Sequence, residues 1–262
     1  MNNCHKDHPT LRFWHLPNLL GIDATLIAVA WYLIYLPKLD NVSIYPSIIL
    51  ALSVWLTYQA DRLFDIRKVK LCSLTSFRHV FAKKNEKLLW KVWFFVLSFN
   101  CVIASQTLSI SHLKNGSMLL GITVVYTYLN QKTKKIFFPK ELIVALIFTG
   151  GIFVFNAPLV GWYPFVSIFL LCYSNCLLIA SNEVEQDRIF DRRYKNKFYT
   201  NLPLILSVTT LVALKQPPVL LSVLLLDILF PLRRKMHLEN YRILVDGSLL
   251  VVPIGVLLAK II

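Results

Sequence analysis

Residues 162–181 read WYPFVSIFLLCYSNCLLIAS, a run of 20 residues without Asp, Glu, Lys or Arg. An α-helix needs about 20 predominantly apolar residues to cross the hydrocarbon core of a bilayer. The run is followed by EVEQDRIFDRR over residues 183–193, where acidic and basic side chains alternate. This apolar segment with a charged end predicts a membrane-spanning helix, and the pattern recurs along the chain.

The composition of the whole chain agrees with this reading. The 262 residues are 56% apolar but only 16% Asp, Glu, Lys and Arg, whereas soluble domains carry about 25% charged residues. This deficit excludes a water-soluble enzyme and a disordered chain. The five cysteines form no Cys-x-x-Cys pair, and a disulfide scaffold is excluded. The net charge of +14 lies between the apolar runs and not in a basic arm, so no nucleic-acid partner is predicted.

The apolar runs predict an all-α integral membrane protein with nine transmembrane helices in a single bundle, and residues 1–262 form one domain. Several runs are shorter than a lone span needs, and we expect those to be short, tilted helices inside the bundle. The predicted intervals are 19–36, 44–60, 88–107, 117–130, 141–157, 162–181, 200–214, 217–230 and 243–260.

The positions of Lys and Arg set the orientation, because cytoplasmic loops carry an excess of both residues. With the N-terminus in the cytoplasm, 24 of the 28 Lys and Arg residues fall on the cytoplasmic side and four on the other. Adding or removing a span in the middle destroys this asymmetry. We therefore predict a cytoplasmic N-terminus, a C-terminus on the opposite side and a location in a bacterial inner membrane.

The most informative feature is an internal repeat. Residues 61–65 read DRLFD at the end of the second predicted helix, and residues 187–191 read DRIFD at the end of the sixth. Four spans separate the copies, so both lie on the cytoplasmic side. This arrangement predicts two parallel four-helix repeats plus one helix, unlike the inverted repeats of many transporters.

Both copies place carboxylates one helical turn apart, on one helix face. The carboxylates belong to Asp61 and Asp65 in the first copy and to Glu183, Asp187 and Asp191 in the second. Like charges at this spacing, near a helix C-terminus, call for a nearby cation. Either Arg62 and Arg188 neutralise them, or divalent cations do. Mg²⁺ typically binds one or two carboxylates together with substrate phosphates, and basic residues surround both copies, so the second reading predicts a diphosphate site.

With nine predicted helices and acidic motifs at the cytoplasmic ends of helices two and six, the chain resembles the UbiA superfamily of intramembrane prenyltransferases. The motifs of that family read roughly Asn-Asp-x-x-Asp-x-x-x-Asp and Asp-x-x-x-Asp-x-x-x-Asp. Glu183, Asp187 and Asp191 match the second, with Glu for the first Asp, and Asp61 and Asp65 match part of the first. The resemblance covers the whole chain in topology and two short motifs in sequence.

The resemblance implies Mg²⁺-dependent transfer of a prenyl group from an isoprenyl diphosphate to an aromatic or lipid-like acceptor within the membrane. It implies that all five carboxylates bind Mg²⁺ and that the four aspartates are catalytic. Metal and basic side chains would neutralise the leaving diphosphate. The implied substrate-binding residues are Arg62, Arg78, Tyr128, Lys132, Lys134 and Arg188.

The chain departs from the family where Thr57 and Tyr58 stand in place of Asn-Asp, which removes a metal ligand. One alternative is therefore a degenerate member that binds a prenyl lipid without turnover. Another alternative is a cation-coupled transporter, against which stands the clustering of carboxylates at one membrane face and not at the midplane.

For two further groups of residues the sequence leaves more than one role open. Ionisable residues inside apolar runs are costly and usually functional, so we expect Asp23 and Asp246 either to reach the site or to pair with a basic loop residue, and Asp227 to be structural. The segment that contains Arg78 and His79 is either a lid over the first motif or an amphipathic segment on the membrane surface.

Overall fold

The computed structural model describes residues 12–36, 44–67, 69–74, 76–132, 140–156, 161–183 and 201–261. Within these ranges the chain is helical and has no strand, which confirms the predicted all-α class. The α-helices are α1 Leu16–Leu20, α2 Ile22–Ile34, α3 Ile44–Ile66, α4 Phe77–Lys84, α5 Glu86–Thr107, α6 Ile110–Lys132, α7 Lys140–Phe153, α8 Trp162–Asn182, α9 Leu202–Ala213, α10 Pro217–Leu229 and α11 Leu238–Ile261.

Among the described helices, three are individually long and apolar enough to cross a membrane: Glu86–Thr107, Trp162–Asn182 and Leu238–Lys260. The bent pair Phe13–Leu20 and Ile22–Ile34 is a fourth if the two parts form one span. These lengths fit the predicted integral membrane protein. Each of the nine predicted intervals overlaps a helix, but nine spans in two parallel repeats go beyond what helix length and composition establish.

Three helix boundaries differ from the prediction in ways that matter for the site. Helix α3 continues to Ile66 and not only to residue 60, so the first acidic motif lies on its last two turns. Helix α11 begins at Leu238, five residues before the predicted start at 243, which places Arg242 on the same helix as Asp246. Helix α4 was expected only as a loop segment.

The first predicted span is broken. Gly21 adopts φ 72°, in the left-handed region that favours glycine, and the chain bends by 74° between the two parts. The last carbonyls of a helix have no partners in the next helical turn, and at the end of α1 side chains of α3 donate hydrogen bonds to such carbonyls. Trp55 Nε1 and Gln59 Nε2 donate to Leu20 O at 3.0 and 2.7 Å. The break is therefore a stabilised element of the fold.

Helix α8 is the central helix of the bundle. Over its apolar window 56% of the residues are buried, against 11% for α5, so α5 lies at the periphery and α8 in the middle. Helices α7, α9, α10 and α11 all pack against α8. On the far side of the core, Trp31 of α2 donates its indole N–H to Leu249 O of α11 at 2.9 Å. Glu183 directly follows the last residue of this central helix.

Candidate functional site

The carboxylates of the first acidic motif contact the ammonium group of a lysine from another helix. Asp61 and Asp65 lie one turn apart on α3, and the ammonium of Lys140 lies 2.9 Å from Asp61 Oδ2 and 4.0 Å from Asp65 Oδ2. The Asp65 side chain is 7% exposed and that of Asp61 39%. Lys140 is the first residue of α7. The repulsion between the two aspartates is therefore offset by one cation that bridges them.

Arg62, which lies between these aspartates in sequence, contacts the end of α1 in the described structure, and its role in substrate binding stays a prediction. Its Nη1 donates to Leu19 O at 2.7 Å and its Nη2 to Asn18 O at 2.8 Å. The residue is buried, with 4% of its surface exposed. Arg62 thus completes the set of donors that caps the end of α1. Lys140 forms ion pairs with Asp61 and Asp65, whereas the guanidinium hydrogen bonds of Arg62 go to backbone carbonyls.

The second predicted ligand group is described only at its first member, Glu183. The carboxylate of Glu183 accepts from Arg78 Nη2 at 3.3 Å and forms a close ion pair with Arg242 of α11. Arg242 is 1% exposed and also bonds Glu239 at 3.1 Å. Glu183 therefore lies between two guanidinium groups, one from α4 and one from α11.

Helix α4 is docked into the protein. The backbone N–H of Phe77, its first residue, donates to Glu239 at 2.8 Å, and Phe77, His79 and Ala82 are buried. Through Arg78 the helix joins the region after the first motif to the end of α8. Of the two interpretations offered for this segment, the packing favours a cover over the site, because its apolar side faces protein.

The remaining predicted site residues are described in part or not at all. Tyr128 lies near the end of α6 and is 55% exposed. Of Lys132, one turn further on, only the backbone is described. Lys134, Asp187, Arg188 and Asp191 lie outside the described residues. Their roles stay predictions.

A polar cluster lies at the break between α1 and α2. Asn18 Nδ2 donates to Asp23 Oδ2 at 2.5 Å and lies 3.5 Å from Asp246 Oδ2. Asn175 Nδ2 of α8 donates to Asp246 Oδ1 at 3.1 Å. We call Asn18, Asp23, Asn175 and Asp246 the Asn–Asp cluster. In the described residues Asp23 and Asp246 contact asparagine side chains, and the two alternatives left open for these acids stay predictions. Asp227, predicted to be structural, lies elsewhere, 3.5 Å from Thr210 Oγ1.

The described part of the chain contains no group of three or more His, Cys, Asp or Glu side chains arranged to hold a metal ion. Asp61 and Asp65 supply two carboxylates, and Glu183 is engaged by guanidinium groups. The pair on α3 nevertheless fits a small hard cation, because its oxygens converge on a cationic nitrogen, that of Lys140. Thr57, one turn before Asp61 on α3, donates its hydroxyl to Ser53 O of its own helix at 2.9 Å.

Two residues of this site were not predicted from the sequence. Lys140 and Arg242 entered it only as positive charges in cytoplasmic loops, yet each contacts a predicted ligand residue. A signal for Arg242 was its spacing of one helical turn before Asp246.

Comparison of the chain with protein-family models, with curated proteins and with solved structures finds no match.

Proposed function

We propose that the protein is an intramembrane prenyltransferase of the UbiA type, which transfers a prenyl group from an isoprenyl diphosphate to an aromatic or lipid-like acceptor. The observation that carries the proposal is the pair Asp61 and Asp65, which together bind one cation at the end of α3. Carboxylates that converge on a cation beside arginines are suited to a metal–diphosphate complex.

The proposal includes the topology that the charge pattern favours. Nine spans in two parallel four-helix repeats plus one helix bring both acidic motifs to the cytoplasmic face. In support, Arg78, which follows the first motif, contacts Glu183, which opens the second. A contact of this kind is expected when the two motifs border one site. The membrane is that of a bacterial cell, with the C-terminus on the outer side.

The proposed reaction assigns metal binding and diphosphate binding to different residues. Asp61 and Asp65, together with Asp187 and Asp191, would hold Mg²⁺, which supplies charge neutralisation to the leaving diphosphate when bound. Arg78 is positioned to donate to diphosphate oxygens, because its guanidinium is partly accessible, with 18% of the side chain exposed. Tyr128, Lys132, Lys134 and Arg188 are proposed to complete the diphosphate side. The prenyl chain would lie between helices, open to lipid.

A degenerate protein that binds a prenyl lipid without turnover is the second candidate. The observation that favours it is the replacement of family ligands by Thr57, which bonds its own helix, and Tyr58. A cation-coupled transporter is disfavoured by the break in helix one. Transporters use carbonyls at such breaks as ion ligands, but here side chains of α3 occupy the carbonyls of Asn18, Leu19 and Leu20.

The test is Mg²⁺-dependent release of diphosphate from labelled geranylgeranyl diphosphate by the purified protein, with a membrane lipid extract as the source of acceptor. We expect label to move into a new lipid, and we expect Asp187→Ala and Asp61→Asn to abolish the transfer. Asp227→Asn is the matched control, since it changes a membrane acid outside the site. Unchanged turnover in Asp187→Ala overturns the mechanism. Mg²⁺-dependent binding without release supports the degenerate binder.

A further inference from the structure

The outward face of α5 is apolar over most of its length. The helix is long and apolar enough to cross a membrane, yet only 11% of its apolar window is buried. Exposed and partly buried residues alternate with the helical period, and Leu88, Val92, Phe95 and Phe99 all lie on the exposed side. The rings of Phe95 and Phe99 are stacked, with centroids 6.5 Å apart. On a helix that crosses a bilayer, such a stripe faces acyl chains.

The length of this stripe matches one leaflet of a bilayer. Leu88 and Phe99 are 11 residues apart, which corresponds to about 16 Å along a helix that rises 1.5 Å per residue. Half of the hydrocarbon core of a bilayer is about 15 Å thick. The stripe can therefore accompany one acyl chain from the headgroup level to the middle of the membrane.

Three exposed lysines stand at the Leu88 end of the stripe. Lys84 is the last residue of α4, and Lys87 and Lys91 lie in the first two turns of α5. Lys87, Lys91 and Phe95 follow one another at intervals of four residues, so they lie on the same face of the helix. The positive charges thus continue directly into the apolar stripe.

No carboxylate in the described part of the chain pairs with these three lysines. Glu86, the acidic residue in the first turn of α5, is engaged by Lys83, whose Nζ lies 3.1 Å from its Oε2. Lys83 also donates to Ile66 O at 3.0 Å, which holds the junction of α4 and α5 against the end of α3. The junction therefore presents three positive charges for which the described residues supply no counter-ion.

Two tryptophans of α5 indicate that these charges lie at the level of lipid headgroups. Trp90 and Trp93 flank Lys91 in sequence, and tryptophan is enriched where the hydrocarbon core meets water. Trp93 donates its indole N–H to Leu56 O of α3 at 2.9 Å, and Trp90 packs edge-on against Phe64, with ring centroids 5.5 Å apart. Both contacts hold one face of α5 against α3 and leave the face with the lysines outward.

We propose that the junction of α4 and α5 binds an anionic phospholipid, whose headgroup lies at Lys84, Lys87 and Lys91 and whose acyl chain follows the stripe from Leu88 to Phe99. A zwitterionic phospholipid fits the stripe equally well but brings no net charge to the lysines. A free phosphate ion brings the charge but leaves the stripe unused. The lipid is a bound component of the fold and not a substrate, so the proposal does not depend on prenyl transfer.

The experiment compares two probes with identical acyl chains, dioleoyl phosphatidylglycerol and dioleoyl phosphatidylcholine. Binding of the first lipid to the detergent-solubilised full-length protein is titrated by native mass spectrometry. We expect the anionic lipid to bind at least about tenfold more tightly, because each lysine near an anionic headgroup contributes a factor of about five. The double variant Lys87→Gln, Lys91→Gln should reduce the preference to about twofold or less.

The matched control is the double variant Lys114→Gln, Lys215→Gln, which removes the same charge at exposed positions on α6 and between α9 and α10. It should keep the wild-type preference. All four lysines are exposed, and size-exclusion chromatography with helical circular dichroism establishes that both variants are folded.

Three results would overturn the proposal. The first is equal affinity of the wild type for the two lipids, and the second is an unchanged preference in the folded Lys87→Gln, Lys91→Gln variant. The third is an equal loss in both double variants, since net charge alone would then determine binding. Inorganic phosphate, compared with chloride at the same ionic strength, should displace no additional lipid. Displacement by phosphate that removes the preference would identify a site for free anions and would also overturn the proposal.

Discussion

The ammonium of Lys140 lies 2.9 Å from Asp61 Oδ2 and 4.0 Å from Asp65 Oδ2, so one lysine at the start of α7 bridges two carboxylates of α3. A metal ion bound by the same oxygens has to displace this ammonium or share the carboxylates with it. The lysine is thus an internal competitor for the proposed metal.

Lys140→Met is therefore expected to bind divalent cations more tightly, by about tenfold if the lost competition amounts to about 1.4 kcal/mol. The measurement is a calorimetric titration with Mn²⁺. Lys140→Arg keeps the charge and should stay near the wild type. Lys215→Met is the control, because Lys215 is an exposed residue between α9 and α10 and not on a helix that carries the motif. An affinity in Lys140→Met equal to that of the wild type would show that Lys140 does not occupy the metal position.

Gly21 makes the break in the first span possible, since its φ of 72° is strained for any residue with a Cβ. Gly21→Ala is expected to lower the free energy of unfolding by about 1–2 kcal/mol. Part of this cost comes from Gln59 Nε2, which would lie 3.3 Å from the new Cβ. Gly247→Ala is the matched control: it lies within α11 with open space around it and should be neutral or stabilising by up to about 1 kcal/mol. Thermal unfolding in detergent compares the two, and equal effects would contradict the role of φ.

Arg62 is expected to act on stability more than on substrate affinity. Arg62→Met removes the donors to the carbonyls of Asn18 and Leu19, and we expect a loss of about 2–4 kcal/mol in unfolding free energy. Arg78→Met, by contrast, should raise KM for the isoprenyl diphosphate with a smaller loss of stability, because Arg78 is partly exposed. A folded Arg62→Met protein of wild-type stability with a raised KM would restore the role predicted from its place in the motif.

The sequence was sufficient to predict a helix in each of the nine apolar intervals, because charged residues mark the ends of most runs, but it did not predict the polar helix α4. It was not sufficient to predict the break at Gly21, since residues 19–36 read as one predominantly apolar run in spite of Gly21 and Asp23. What divides them is the set of donors on α3, which is defined only when α3 packs against α1.

The same dependence on helix packing explains why Lys140 and Arg242 were not predicted as site residues. The spacing of Asp61 and Asp65 correctly indicated that a cation lies nearby, but a motif cannot tell which cation, and Lys140 is 79 residues away from Asp61. Arg62 shares the motif with the aspartates, so proximity in sequence suggested proximity in function. On the helix its side chain points to a neighbour that the motif does not contain.

The last prediction concerns Glu183, which accepts from Arg78 and pairs with Arg242. Arg242 is almost fully buried, and removal of the charge of a partner in such a pair costs more than in an exposed one. Glu183→Gln should therefore lower the unfolding free energy by about 2–3 kcal/mol and speed hydrogen exchange in α4. Arg78→Gln should speed exchange in α4 at a global cost of about 1 kcal/mol or less.

Glu86→Gln provides the matched control for this comparison, because its partner Lys83 is a partly exposed neighbour at i, i+3, and we expect a loss below about 1 kcal/mol. Chemical unfolding and hydrogen exchange of the three variants in the same detergent separate the contributions. If Glu183→Gln costs no more than Arg78→Gln, the buried guanidinium of Arg242 does not depend on Glu183. Glu183 would then be available to the proposed metal site, and the packing of α4 would rest on Glu239 and its bond to the N–H of Phe77.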